Sequence, residues 1–417
     1  MSGEQPPEPE AGGRRTRRAR RQRDEGPPLA LVYVASAAAL SGMQLIVPAF
    51  PAMQAGLELT SAQIALLVTV YMIPAALASV PSGILSDRFG RRLMLTLSLL
   101  VIGLGGLVIF VWPTYPVLIG VRVLQGAAYG VLQTMTVAII GDFRRGRAQA
   151  GAQGMRSVSL TLGEAGLPVI GGLLVLVHWR APFVVQASCL VLAWLVQRRL
   201  PETRRADGVE APPRVPTREV IREPLVVVLV LAGMLRFMLK YAFLTFLPIL
   251  YALFHSDNSV AIGLVLAASS LVGTAGALLV RRLLGYVRAS WVMIASTAVA
   301  GLGLVLISAT GQVYVLLVLG ALLVGLTDST NGVVQNAMIA VTGRPEARGT
   351  TVSLAIGARN VGRFLSPAIL GPLSAAVAVS TSVWMLGVAA VLVSIGLRPA
   401  ARGDHLLSDE PAAPRGS

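Results

Sequence analysis

Charge is what this sequence most lacks. Only 13% of its 417 residues are Asp, Glu, Lys or Arg, about half the roughly 25% usual for a soluble domain. With 54% hydrophobic residues and a mean hydropathy of +0.71, the chain cannot cover itself with water-facing side chains, which excludes a water-soluble globule. It also lacks the succession of short alternating segments that a transmembrane barrel needs. In hydrocarbon every backbone donor and acceptor must be paired within its own segment. The long apolar runs, with Gly and Pro scattered inside them, therefore read as α-helices. A single cysteine, Cys189, excludes a disulfide within the chain, and its apolar surroundings make it a small buried hydrophobe. Three histidines (His178, His255, His405) stand far apart with no metal-ligand spacing. No Gly-rich phosphate loop ends in Lys-Ser/Thr. No enzyme chemistry, metal or cofactor is expected, and the energy for any pumping should come from an ion gradient.

The charge that is present is mostly arginine: 34 Arg against one Lys, a bias that suggests a GC-rich bacterial genome. The run Gly13 to Arg23 could pass for a nucleic-acid-binding arm. A juxtamembrane Arg cluster ahead of a first span fits better, because basic residues stay on the cytoplasmic side and each is worth about 1 kcal/mol near anionic lipid. Membrane lipids are thus expected partners and nucleic acid is not. Residues 1–28 are read as a disordered basic cytoplasmic tail, and the first apolar run as a signal anchor with no cleavable leader.

Spans need about 20 apolar residues. The hydrophobic pattern places them near Leu29–Ala52, Gln63–Leu85, Leu93–Val111, Tyr115–Ile140, Gly151–Val177 and Ala181–Val196. A second set follows near Leu225–Phe254, Val260–Val280, Trp291–Ala309, Val313–Val341, Thr350–Val377 and Ser382–Leu397. The expected architecture is all-α: a six-helix bundle over 29–196, a cytoplasmic central loop over 197–223, a second bundle over 224–398 and a cytoplasmic tail over 399–417. Counting Arg156 with the loop after span four, 29 of the 35 basic residues fall on one side and Arg180 alone on the other. That split predicts both termini inside, in a multi-pass bacterial inner-membrane protein. The halves also echo each other at offsets of about 200 residues. Pro48 matches Pro248, Gly130-Val-Leu-Gln133 matches Gly332-Val-Val-Gln335, and Gly163-Glu164-x-x-x-Pro168 matches Gly362-Arg363-x-x-x-Pro367.

After span two stands Gly83-Ile-Leu-Ser-Asp87-Arg88-Phe-Gly90-Arg91-Arg92. Physically this is a helix end carrying one carboxylate, three guanidiniums and a turn-permitting glycine, groups that can latch one conformation and release another. The sequence resembles the G-x-x-x-D-R-x-G-R-R signature of the major facilitator superfamily at every specified position. Its second-half counterpart, Arg281-Arg-Leu-Leu-Gly285, lacks the Asp. Arg122-Val-Leu-Gln125-Gly126 in span four resembles the R-x-x-Q-G motif of proton-coupled members, which implies a coupling role for Arg122 and Gln125. An Arg satisfied by neighbouring carbonyls is the other reading. Gly163 to Gly172, with Gly163, Pro168, Gly171 and Gly172 in place, resembles the G-x-x-x-G-P-x-x-G-G motif of the antiporter branch, although Leu167 stands where its second Gly is expected. Small residues there allow close helix approach and the Pro loosens the bend. The resemblance covers Leu29 to Leu397 and implies twelve helices in two pseudo-symmetric bundles, with alternating access around a central cavity.

Charges inside spans are costly and should face the interior. Arg236 and Lys240 share a face of span seven, Arg359 and Arg363 a face of span eleven. Glu164 and Asp328 are the carboxylates inside spans. Arg236, Arg363, Glu164 and Asp328 lie roughly 16–22 Å into the core. Repeat equivalence suggests that Glu164 and Arg363 face each other. Either acid could carry a proton, with the cations tuning it or meeting substrate; equally, acids and cations could form fixed ion pairs. Tyr129, Gln133, Gln335, Asn336 and Asn360 are candidate polar contacts on the cavity wall. The expectation is a monomeric, proton-coupled exporter of small amphipathic organic compounds, its partners a small-molecule substrate and protons. An uptake symporter or lipid flippase on the same frame, and a non-transporting sensor, remain alternatives.

Overall fold

The computed structural model describes residues 29–203, 218, 222–255, 258–284, 286–341 and 348–396. The expectations for 1–28, 399–417 and most of the central loop lie outside the described residues. Twelve long helical segments run in order: α1 (Leu29–Leu57), α2 (Ser61–Phe89), α3 (Arg91–Val111), α4 (Tyr115–Phe143), α5 (Gly146–Val175) and α6 (Ala181–Arg199). Then come α7 (Pro224–Phe254), α8 (Ser259–Leu283), α9 (Ala289–Ala309), α10 (Tyr314–Val341), α11 (Arg348–Ala376) and α12 (Val379–Gly396). Eleven of these are long and apolar enough to span a bilayer; α11, with Arg348, Arg359 and Arg363 along it, falls short by composition. Local chemistry marks the ends. Thr60 caps α2 reciprocally with Gln63: its hydroxyl accepts from the Gln63 N–H, and the Gln63 side-chain oxygen accepts from the Thr60 N–H.

One expectation fails locally. The first span is not a continuous helix ending near Ala52. It breaks into 3₁₀ turns at Leu40–Gly42 and Val47–Ala49 and resumes to Leu57. Pro48 and Pro51 remove backbone donors there. Side chains from other helices take up two carbonyls in the 3₁₀ stretch ahead of them. Arg122 donates to the Gly42 carbonyl and Gln186 Nε2 to that of Ser41 at 3.1 Å.

The two halves pack alike. In the first, α4 lies on α2 and α3, α3 on α6, and α5 on α1; in the second, α10 lies on α8 and α9, α9 on α12, and α11 on α7. The bundles meet along α5–α8 and α2–α11, pairs that exchange under the repeat. The arginine-rich connections, such as α2–α3 and α4–α5, gather at one end of the molecule. At the opposite end the bundles touch closely. A Cβ on Gly172 would run into the Ser259 carbonyl, and one on Gly263 into that of Pro168. Toward the arginine-rich end the apolar core divides: Leu229, Val280, Met293, Val334 and Met338 form a cluster confined to the second bundle. On α2 the outer Ile64, Leu67 and Val68 are buried, whereas Val80 and Ile84, nearer the arginines, are 78% and 75% exposed. The close contacts between the bundles thus lie at the end away from the arginines.

Candidate transport site

Four charges from α5, α7 and α10 form one chain across the cavity. Arg236 Nε donates to Asp328 Oδ1 at 2.7 Å, Lys240 Nζ meets Asp328 Oδ2 at 3.0 Å, and the same ammonium donates to Glu164 Oε1 at 3.2 Å. Arg236 and Lys240 are one helical turn apart, so Asp328 can accept from both. Signs alternate and sum to zero, which is how buried charge is tolerated. Glu164 alone belongs to the first bundle, so its bond to Lys240 ties the bundles together at mid-membrane. Its side chain is 32% exposed against 12% for Asp328. The repeat argument paired Glu164 with Arg363. Both line the same cavity, but the ion pair goes to Lys240, because a helical turn of α7 enters between them.

Arg363 instead donates to Asn360 Oδ1 at 3.2 Å and lies over the Phe237 ring at 4.8 Å. Arg236 lies at 4.9 Å from the same ring, which separates the two guanidiniums. Arg359 donates to Asn336 Oδ1 at 2.7 Å. Tyr129 is buried beside Tyr71 and lines the cavity with Glu164 and Arg363. Gln133 accepts from Arg156 at 2.6 Å. Gln335, expected on the cavity wall, is instead fully enclosed between α10 and α7, donating to the Leu229 carbonyl at 2.9 Å. Arg156, read at the start of span five and counted with the loop charges, stands ten residues along α5, because that helix begins at Gly146 rather than Gly151.

Arg122 is 3% exposed, its guanidinium over the rings of Tyr71 and Phe183 and its N–H on the broken α1. Gln125 donates to the Ile102 carbonyl and to Gln186 Oε1. Arg122 meets no carboxylate among the described residues. In the α5 motif the glycines divide their work. Gly163 lies against Leu40 and Gly171 against the Leu45 carbonyl, both on α1, while Gly172 and Pro168 face α8. One motif thus seats α5 on its own bundle and on the other.

At the arginine-rich end, Gly90 turns between α2 and α3 at φ +91°, a conformation side chains avoid. Gly83 has open space around it. Arg91 pairs with Asp142 at the end of α4, and Arg92 with Glu202 at 3.7 Å. Glu202 also accepts from the Arg92 backbone N–H at 3.1 Å, capping α3. Asp142 and Glu202 were not singled out in the sequence; an acidic residue closing a helix against a basic motif was the available signal. Asp87 and Arg88 are exposed, and neither has an ion pair among the described residues.

A polytopic helical bundle with charges clustered between its halves is a form that transporters take. The family model of the Major Facilitator Superfamily matches residues 32–367, and the chain belongs to that superfamily. It is 34% identical over 149 residues to the bacillibactin exporter of Bacillus subtilis, covering 34% of this chain and 37% of that protein. To the quinolone resistance protein NorA of Staphylococcus aureus it is 26% identical over 229 residues, 53% of this chain and 58% of the relative. The matches thus span about a third to three-fifths of these relatives' length. Among solved structures, a bacterial homologue of the lysosomal transporter Spinster aligns with a TM-score of 0.75 at 16% identity, covering 91% of this chain and 97% of that one. The nucleoside transporter NupG aligns at 0.77 and 14%, covering 89% and 98%. These likenesses support the fold.

Proposed function

We propose that the protein exports small organic molecules in exchange for protons, with Glu164 as the proton carrier. The observation that carries this reading is the Glu164–Lys240 pair, the ionic link between the bundles at the level of the cavity. Of the two buried acids, Glu164 has one cationic partner and access to the cavity, while Asp328 is held by two cations and is nearly enclosed. A proton reaching Glu164 removes its charge. Lys240 then keeps only Asp328, which it shares with Arg236, and the bundles lose their central tie and can rock. In this reading the state with the pair formed, as here, is the one that has lost its proton and takes cargo from the arginine-rich end. That end is the cytoplasmic one if basic residues stay inside, which gives export. The exporter and resistance proteins among the relatives support this direction, as does the α5 motif.

Arg122 serves in this account as a strut. It holds the broken α1 in the shape that places Leu40, Met43 and Gln44 on the cavity wall. The arginine-rich loop after α2 acts as the latch, with Arg91–Asp142 holding α3 to α4 and Asp87 free to meet the second bundle when the cavity closes on that side. Uphill transport by purified protein in vesicles under an imposed pH gradient tests the proposal. Gradient-insensitive movement contradicts it.

A further inference from the structure

The charge of the cavity identifies the cargo more narrowly than the family does, provided the cavity just described is where cargo sits. The four charges of the central chain cancel. Arg363 lines the cavity beside that chain, with Arg359 one turn away on α11 and Arg156 on α5, and the side-chain partners of these three guanidiniums are neutral: Gln133 and Thr136, Asn336, and Asn360. None of the three pairs with a carboxylate among the described residues. The buried Nε atoms of Arg359 and Arg363 have no hydrogen-bond partner among the described residues. Arg359 and Arg363 lie one turn apart on one face of α11, an arrangement in which like charges repel. All three stand roughly 15–23 Å from the arginine-rich helix ends, too deep for a lipid headgroup resting in its own leaflet. A membrane protein that holds three half-buried positive charges against neutral partners carries an electrostatic cost that an anion would relieve. The wall beside Arg363 is largely apolar, with Met43, Met72, Phe237 and Leu244, and gives the body of an organic molecule a surface to lie on.

We infer that the cargo is an amphipathic organic anion, its carboxylate or similar oxyanion held by Arg363 with Arg359 and Arg156, and its apolar body laid against Met43, Met72 and Phe237. Guanidiniums suit this because their planar donors meet oxyanions in pairs. Cations of the same shape are repelled.

Three probes with one body and different heads test it: 2-naphthoate, 2-naphthylmethanol and 2-naphthylmethylammonium. Binding to the purified full chain in phosphatidylcholine vesicles is measured by equilibrium dialysis at fixed pH, with no gradient. Naphthoate should bind about tenfold or more tightly than the alcohol, and the ammonium most weakly. Arg363→Gln should lose about tenfold for naphthoate and nothing for the alcohol. Gln133→Glu and Asn336→Asp, which give Arg156 and Arg359 carboxylates of their own, should raise thermal stability while weakening naphthoate, a combination that a purely structural role does not produce. Equal binding of the three probes, preference for the ammonium, no detectable naphthoate binding, or unchanged binding in Arg363→Gln each overturns the proposal. So does displacement of naphthoate by phosphatidylglycerol vesicles, which assigns the guanidiniums to lipid. Selective naphthoate binding without gradient-driven transport leaves this inference standing and removes proton coupling; gradient-driven transport of the ammonium does the reverse.

Discussion

Neutralising the two buried acids should have opposite consequences. Asp328 is the counter-ion of both Arg236, at 2.7 Å, and Lys240, at 3.0 Å, and all three side chains are at most 17% exposed. Asp328→Asn leaves two cations one helical turn apart with no acid between them except Glu164 on the far side of Lys240. Breaking a buried pair by removing one partner costs about 3–5 kcal/mol, and the repulsion between neighbours adds to it. Glu164→Gln removes one of the two acids on Lys240 and leaves Asp328 in place. At 3.2 Å the gross attraction is about 5 kcal/mol with an effective dielectric of 20. Glu164 is about a third exposed, so rehydration returns most of that, and a net loss of about 1 kcal/mol remains. Unfolding of the purified variants in one detergent reads the difference. Glu164→Gln should stay close to wild type, Asp328→Asn should fall well below it, and Asp328→Asn/Arg236→Gln should recover part of the loss. Equal stability of the two single variants, or collapse of Glu164→Gln alone, refutes the division of labour between the acids.

Other consequences follow from separate parts of the structure. Asp87→Asn should slow turnover while insertion and thermal stability stay near wild type; wild-type rates at equal expression would remove its latch role. Asp142→Asn should destabilise by about 1–3 kcal/mol through the loss of the largely buried Arg91 pair, and a double-mutant cycle with Arg91→Gln should return a coupling of that size. Gly172→Leu should hold the outer ends apart, since even a Cβ there meets the Ser259 carbonyl; cysteine labelling of the outer cavity should rise and transport should fall. Reporter fusions at Thr203 and Ser417 should both read as cytoplasmic.

The sequence carried the architecture because the forces that set it are one-dimensional. Apolar length defines spans, basic residues sort the connections, and the repeat doubles each signal. Helical rise, which converts residue number to distance, also put Arg236, Glu164 and Asp328 at a common level, and the three belong to one chain of ion pairs. Pairing was not legible. Symmetry put Glu164 and Arg363 at equivalent positions, yet which cation reaches an acid depends on helix rotation and side-chain length, and Lys240 intervenes. Arg156 was read at the start of span five and counted with the loop charges; with α5 beginning at Gly146 it lies ten residues along the helix, bonded to Gln133 and Thr136. The break in α1 was signalled by Pro48 and Pro51 but not its repair, because the donors come from Arg122 and Gln186, far away along the chain.

The central claim is that Glu164 couples cargo to protons through its bond to Lys240. The most direct measurement is cargo movement by purified wild type and Glu164→Gln in vesicles, read once with an imposed pH gradient and once as exchange without one. Wild type should accumulate cargo uphill, and Glu164→Gln should exchange it but never concentrate it. Uphill accumulation by a folded Glu164→Gln protein would contradict the account.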